Sequence, residues 1–253
     1  MLIEVNDMNS KTADKIATTF FYIIASSVLL LLFFIIGYIL YKGASVINIS
    51  FITTPPKFME AGGGIMPQLF NSFYLLVLSM IITIPLGVGA GIYMAEYAKP
   101  GKITDFIRLC IETLASLPSI IIGLFGFLIF VTKLNWGFSL ISGALAITIL
   151  NIPSMTRISE DAIKSVPSGI KEASYALGAA KWETIKKVII PTAMPQIITG
   201  MILAGGRVFG EAAALLYTAG MSTPNLRFNN LNPLYKASPF NVMRPAETLA
   251  VYI

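Results

Sequence analysis

Two ionisable side chains, Arg207 and Glu211, stand four residues apart inside a stretch, Thr192 to Ala219, that carries no other charge. Four residues is about one helical turn, so the pair is expected on one helix face. A charge at bilayer mid-depth costs roughly 3 kcal/mol on insertion scales, so such groups face a partner or a polar interior. Two readings follow. The pair can be a mutual ion pair that locks its helix in a bundle. It can instead line a pathway, with arginine offering a forked, permanently charged donor set to an oxyanion. Gly205, Gly206 and Gly210 share the stretch and are expected to let a neighbouring backbone come close. Arg108 and Glu112 repeat the spacing beside another apolar run, where a local ion pair or a contact to the inner loop is expected.

The rest of the chemical inventory excludes more than it offers. There is no histidine and a single cysteine, Cys110. No disulfide can form within the chain, no Cys/His metal site can be assembled, and a histidine-based nucleophilic triad is impossible. A G-x-x-x-x-G-K-[ST] phosphate loop is absent, so energy from ATP has to come from a partner. Neither a catalytic residue nor a metal site is expected. The net charge of +5 does not imply nucleic acid, because the cations fall between apolar spans, where they set orientation in a membrane.

The elements that must position these groups are helices in lipid. Hydrophobic residues make up 55% of the 253 and charged ones only 12%, with a mean hydropathy of +0.76. That leaves too little polar surface for a water-facing shell. An all-α bundle of about five spans is expected, at residues 18–41, 69–95, 106–132, 138–155 and 192–219 of one membrane domain covering 1–253. The first run is too long for a cleaved signal peptide and ends in Tyr38, Tyr41 and Lys42, an interfacial belt. Pro85, Pro118 and Pro153 are expected to kink or interrupt spans two, three and four. Gly87, Gly89 and Gly91 alternate too closely for one helix face, and close packing or a break is expected there. With the N-terminus inside, Lys99, Lys102, Arg108, Arg157, Lys164, Lys171, Lys181, Lys186 and Lys187 join Lys11 and Lys15 on the inner side. Lys42, Lys57, Lys133, Arg227, Lys236 and Arg244 fall outside, so the positive-inside rule favours this orientation. The tail, 220–253, is then external and has no span of its own.

Between spans four and five lies a long inner loop, 156–191, with helical apolar spacing. Ser168 is a candidate N-cap, Ala173, Ala176 and Leu177 follow, and a second stripe runs Trp182, Ile185, Val188, Ile189. Two short helices joined near Gly178 are expected to present a knob to a soluble partner. An interfacial helix without a partner is the plainer alternative.

This loop reads E-A-S-x3-G-x9-V-x-I-P from Glu172 to Pro191. It resembles the EAA loop of ABC importer permeases, E-A-A-x3-G-x9-I-x-L-P, with Glu172, Ala173, Gly178 and Pro191 matching outright. The wording around it, VPSGIKEASYALGAAKWETIKKVIIPTAMPQIITG (166–200), together with IPLGVGAGIYMAEYA (84–98), LPSIIIGLFGF (117–127) and RVFGEAA (207–213), resembles the PstA-type permease family of phosphate ABC importers. So does the GGGI that follows Ala61. The resemblance implies a type I, MetI-like bundle in a prokaryotic inner membrane, multi-pass with the N-terminus cytoplasmic. It implies a second, PstC-type permease, two ATPase subunits that bind ATP-Mg on the cytoplasmic side, and an external phosphate-binding protein. No cofactor is expected in this chain. Glu172, Ala173, Gly178 and Pro191 would couple to the ATPase, and Arg207 and Glu211 would line the substrate pathway. A carboxylate there repels sulfate but can accept the proton of hydrogen phosphate. Two departures are plain. Ala212, Ala213 and Ala214 stand where the family has T-A-P after G-E, and the family's final span after the tail lies beyond this sequence. The alternatives are a permease for sulfate, molybdate or phosphonate, or an ion-driven carrier or channel, whose paired broken helices in repeated halves are not found here.

Overall fold

A computed structural model describes residues 7–57, 63–229, 231–235 and 237–252. Ala61, Gly62 of the GGGI motif that follows it, and Lys236 among the outer cations lie outside the described residues. The chain divides after Gly64 into two units. The first holds helix α1 (Asp7–Gly43) and a single turn, α2 (Ile49–Thr53). Asn48 caps α2 by accepting the Phe51 N–H at 2.7 Å.

The second unit is built on α3 (Met66–Ile92) and α6 (Leu140–Lys164). They run parallel: Ser79 pairs with Thr148, and Gly91 lies against Ser159. The cause is a row on α3 spaced by four, Asn71, Leu75, Ser79, Thr83, Gly87 and Gly91, all buried. Small side chains in one row let two helices in lipid approach to backbone contact. A Cβ at Gly91 would stand 2.5 Å from Ser159 Cβ and 2.9 Å from both the Glu160 nitrogen and the Thr156 oxygen. Gly89, on the other face, has open space. The three glycines therefore mark one packed face and one free one, with no break.

Between these helices come α4 (Lys102–Ser116) and α5 (Ser119–Gly126), the latter continued by a π-helical turn to Lys133. α4 and α5 bend by 97° at Leu117–Pro118. Pro118 cannot continue α4 because the residue before a proline is driven out of helical geometry, and Leu117 has ψ 136°. The interruption expected at Pro118 in the span at 106–132 is thus a right-angled bend between two helices. Pro85 and Pro153 instead sit inside unbroken helices.

After α6, α7 (Ser168–Ala176) leads through Leu177 and Gly178 to α8 (Lys181–Thr184), a π-turn (Ile185–Ile189) and α9 (Ile190–Gly210), which together form one 30-residue apolar helix. A short α10 (Ala213–Thr218) follows, then turns and α11 (Leu249–Tyr252). Two apolar clusters knit the bundle. One joins Met155, Ile163 and Val166 to Ile185, Ile189 and Ile197. The other joins Leu75, Leu140 and Ile147 to Val208, Leu215 and Ala246.

Among the described residues four helices are long and apolar enough to cross a membrane, and five if the bent pair is one span. There is no strand among them, only an isolated bridge at Pro56 and Gly63. The all-α polytopic bundle of about five spans is what the hydropathy pattern predicts. Several boundaries differ: the first helix starts at Asp7 rather than at residue 18, and the last long helix ends at Gly210 rather than at 219. α6 continues nine residues into the expected loop, to Lys164, and the last long helix starts at Lys181 rather than Thr192. Apolar residues such as Ile163, Ile185 and Ile189, buried in the first cluster, carry both helices past the limits suggested by nearby lysines.

Candidate functional site

The hairpin α7–α8 carries the residues of the loop motif. Glu172, Ala173 and Gly178 are exposed on it. Gly178 adopts φ +82°, and a Cβ there would meet nothing within 4 Å. Glycine is required by the left-handed backbone and not by crowding. Leu177, 89% exposed, and Trp182, 56% exposed, make the hairpin's apolar tip. The hydroxyls of Ser174 and Thr184 are 2.9 Å apart and join its two legs. Ser168 is not the cap: Pro167 holds that position with ψ 135°, and no side chain caps α7. Proline sets the extended turn by its ring and leaves the N-cap without a hydroxyl.

Pro191 lies at the second residue of α9, directly after the π-turn Ile185–Ile189. A proline cannot donate to the preceding turn and its ring crowds the carbonyl four residues back; a wide π-turn relieves both demands. The motif's proline thus marks a widened turn within one continuous helix.

Arg207 and Glu211 do not share a helix face. α9 ends at Gly210, Glu211 has extended geometry at ψ 114°, and the chain restarts as α10 at Ala213. Among the described residues no ion pair joins the two. Arg207 is exposed and donates through Nη1 to Ser154 Oγ on α6 at 3.2 Å. The Glu211 carboxylate accepts the Ala214 N–H at 3.2 Å, spanning the break. Run 210–214 (GEAAA) has no proline to announce a break. Arg207 therefore sits in the last turn of α9 and not at mid-helix. The glycines around it also differ from expectation: Gly206 and Gly210 have nothing within 4 Å, and Gly205 has only Leu76 Cδ1 at 3.5 Å. Within this chain they hold no neighbour close; they keep the surface around Arg207 low.

Beside Arg207 lies an open apolar groove of about 890 Å³ between α3 and α9, lined by Met80, Ile84, Pro85, Ile202, Gly206 and Phe209. Behind Ser154, α6 buries Asn151, whose amide nitrogen and oxygen both lack a partner among the described residues, as does Thr83 Oγ1 on α3. Unpaired polar atoms cost free energy in a dry seam, so this stretch of the bundle is polar by design of its sequence and not by exposure. An asparagine within an apolar run is the signal that would have located it.

Arg108 pairs with α6 and not with Glu112. Its Nη2 lies 2.9 Å from Glu160 Oε1, and Lys164 Nζ reaches the same oxygen at 2.5 Å. Glu112 is 3.9 Å from Arg157. These contacts reach the segment read from sequence as the loop. Arg244, read as an outer cation, is 3% exposed. It donates from Nη2 to Asn71 Oδ1 (2.8 Å) and to the Pro239 carbonyl (2.9 Å), fastening the tail to α3. Burial pushes its guanidinium down to about 10, opposed by the nearby Tyr74 hydroxyl.

Residues 87–234 match the family model described as binding-protein-dependent transport system inner membrane component. The chain is 57% identical over 246 residues to the probable ABC transporter permease protein YqgI of Bacillus subtilis, covering 97% of this chain and 84% of that one. It is 37% identical over 177 residues to the phosphate transport system permease protein PstA of Yersinia pestis, covering 70% of this chain and 59% of that one. In fold it is similar to a chain of the MetNI methionine ABC transporter in an inward-facing conformation, with a TM-score of 0.52 at 20% identity over 56% of this chain and 68% of the other. Family model, matched length and helical architecture agree: this chain belongs to the binding-protein-dependent transport system inner membrane components, the permease subunits of ABC importers.

Proposed function

We propose that this permease subunit forms half of the translocation pathway of an ATP-driven phosphate importer. The observation that carries the reading is Arg207: an exposed guanidinium with one hydroxyl partner, Ser154, in a low glycine surface where the helix ends. A fork that meets no carboxylate among the described residues keeps donors for a tetrahedral oxyanion. Relatives named PstA, in Yersinia pestis and in Haemophilus influenzae at 35% identity, support phosphate as that anion. In this reading Glu211 discriminates by accepting a proton from hydrogen phosphate, which sulfate cannot supply.

The exposed hairpin docks on an ATPase subunit through Glu172, Ala173 and Gly178, while Pro191 sets the turn that joins it to α9. ATP-Mg is bound and hydrolysed by that partner. A second permease faces the open side of α9, and an external binding protein delivers the anion. The N-terminus is cytoplasmic, with Lys181 and Lys187 inside and Lys57 and Lys133 outside. Ala212 to Ala214, in place of T-A-P, favour a second reading in which the cargo is another oxyanion.

The test is phosphate and sulfate uptake by the reconstituted complex, normalised to assembled protein. Arg207→Lys should keep partial uptake, because charge remains and the fork is lost. Arg207→Met combined with Glu211→Leu should stay assembled and fail to transport. Normal uptake in that double variant ends the pathway role. Sulfate uptake equal to phosphate in the unaltered protein ends the substrate assignment.

A further inference from the structure

At the end of α3 the helix widens into a π-turn, Tyr93–Tyr97, closed by the Ala98 N–H donating to the Tyr93 carbonyl at 2.8 Å. The turn presents three acceptors side by side: the Glu96 carboxylate, the Glu96 main-chain carbonyl and the face of the Tyr97 ring. Two lysines of the distant hairpin use them. Lys171 Nζ, from α7, lies 2.6 Å from Glu96 Oε1, with the two side chains 21% and 10% exposed. Lys181 Nζ, at the start of α8, donates to the Glu96 carbonyl and stands 4.5 Å from the centroid of Tyr97. One lysine precedes the Gly178 turn and the other follows it, so both legs of the hairpin are held at one point.

This contact differs from an ordinary surface ion pair. An exposed pair contributes little because water already satisfies both charges. Here the carboxylate is nine-tenths covered, and its lysine bond is charge-assisted in a partly dry setting. The hairpin's own legs are joined separately by Ser174 and Thr184, so it is a preformed body that the π-turn grips. From the grip, α3 runs with its small-residue row locked against α6. It then lines, with Met80, Ile84 and Pro85, the groove whose other wall is the turn of α9 bearing Gly206 and Arg207.

We propose that Glu96 is a positioning residue for coupling: through Lys171 and Lys181 it makes the α7–α8 hairpin and α3 move as one piece. A push on the hairpin is thereby delivered to the wall beside Arg207. This deepens the reading of the hairpin as the ATPase docking element and rests on it. Glu96 touches no substrate; it acts through two lysines.

The test uses the assembled complex in proteoliposomes, with inorganic phosphate as the probe. Three forms are compared with the unaltered protein: Glu96→Lys, Lys171→Glu, and the exchange of both. Hydrogen exchange of amides 170–180 reads the grip. Each single change should speed their exchange about tenfold, and the exchange of both should restore it to within about threefold. Phosphate uptake per ATP hydrolysed reads coupling. Each single change should lower that ratio about tenfold while hydrolysis persists, with recovery in the exchanged pair. Unaltered hairpin protection in Glu96→Lys overturns the proposal. So does faster exchange with an unchanged uptake-to-ATP ratio, which is the signature of a merely structural contact. An unaltered protein that hydrolyses ATP but takes up no phosphate refutes the substrate reading instead, and hairpin protection then decides for or against Glu96.

Discussion

The two ends of the α3–α6 pair are closed by opposite means. At the tail end Arg244 is buried, meets no carboxylate among the described residues, and spends its donors on Asn71 Oδ1 and on the carbonyls of Pro239 and Pro245. Asn71 in turn donates to Thr223 and to the Glu247 carbonyl, and Gln68 donates to the Glu247 carboxylate. At the loop end the contacts are ion pairs: Glu160 with Arg108 and Lys164, and Glu96 with Lys171. Arg108 and Lys164 are nearly half exposed. Buried hydrogen bonds cannot be exchanged for water without opening the structure, whereas half-exposed ion pairs can. The tail end is therefore a fixed closure, and the Arg108 and Lys164 pairs at the loop end are reversible, while the covered Glu96–Lys171 bond holds the hairpin on α3.

The most damaging break should come at the tail. Arg244→Leu strands Asn71 and two carbonyls, and roughly 3 kcal/mol of stability should go. Hydrogen exchange should show residues 237–249 opening while α7 keeps its protection. Alkali sharpens the same point. Because burial lowers the Arg244 guanidinium to about 10, its desolvation cost is constant at lower pH. Between about 10 and the ordinary arginine value the unfolded chain holds the extra proton, so this group's contribution to stability rises with pH. A stability–pH profile in which Arg244 and Arg244→Leu proteins diverge further above pH 10 would show it; a converging pair would refute it.

Next in size is the seam between the two ends. Gly91→Ala must displace backbone atoms of Thr156 and Glu160 and should cost about 2 kcal/mol. Gly89→Ala, on the free face, should be neutral or slightly stabilising. Thermal unfolding in detergent compares them, and equal losses would deny the one-sided packing. A smaller effect belongs to the hairpin turn. Gly178→Ala should cost about 1 kcal/mol from its positive φ alone, and Gly178→Asn should cost less. Co-purification with an ATPase subunit, normalised to inserted protein, tests whether this turn is a docking element.

The smallest effect is the broadest test of the comparison. Raising salt from 0.1 M to 1 M shortens the screening length from about 10 Å to about 3 Å. Protection of α4, held by the half-exposed Arg108 pair, should fall by less than about 1 kcal/mol, and protection of the Arg244 cluster should not change. Equal loss at both ends would make the distinction untenable.

What the sequence determines by itself is whatever depends on composition and local spacing. Apolar runs longer than a bilayer is thick specify helices, and the Glu172–Pro191 spacing marks the hairpin; proline alone does not settle where a helix breaks, since Pro118 ends α4 while Pro85 and Pro153 lie inside continuous helices. Tertiary structure decides what depends on neighbours distant in the chain. Only the packed bundle separates Gly87 and Gly91 from Gly89, because whether a glycine is needed depends on what lies opposite. Only it buries Arg244, which composition counts as one more exterior cation. Spacing puts Arg207 and Glu211 on one face; the fold ends α9 between them, since the Glu211 carboxylate gains the Ala214 N–H only when the helix stops. Partners for a long charged side chain are chosen from everything within reach of its tip. For Arg108, Lys171 and Arg244 that reach extends 52 to 173 residues along the chain, where local spacing has nothing to say.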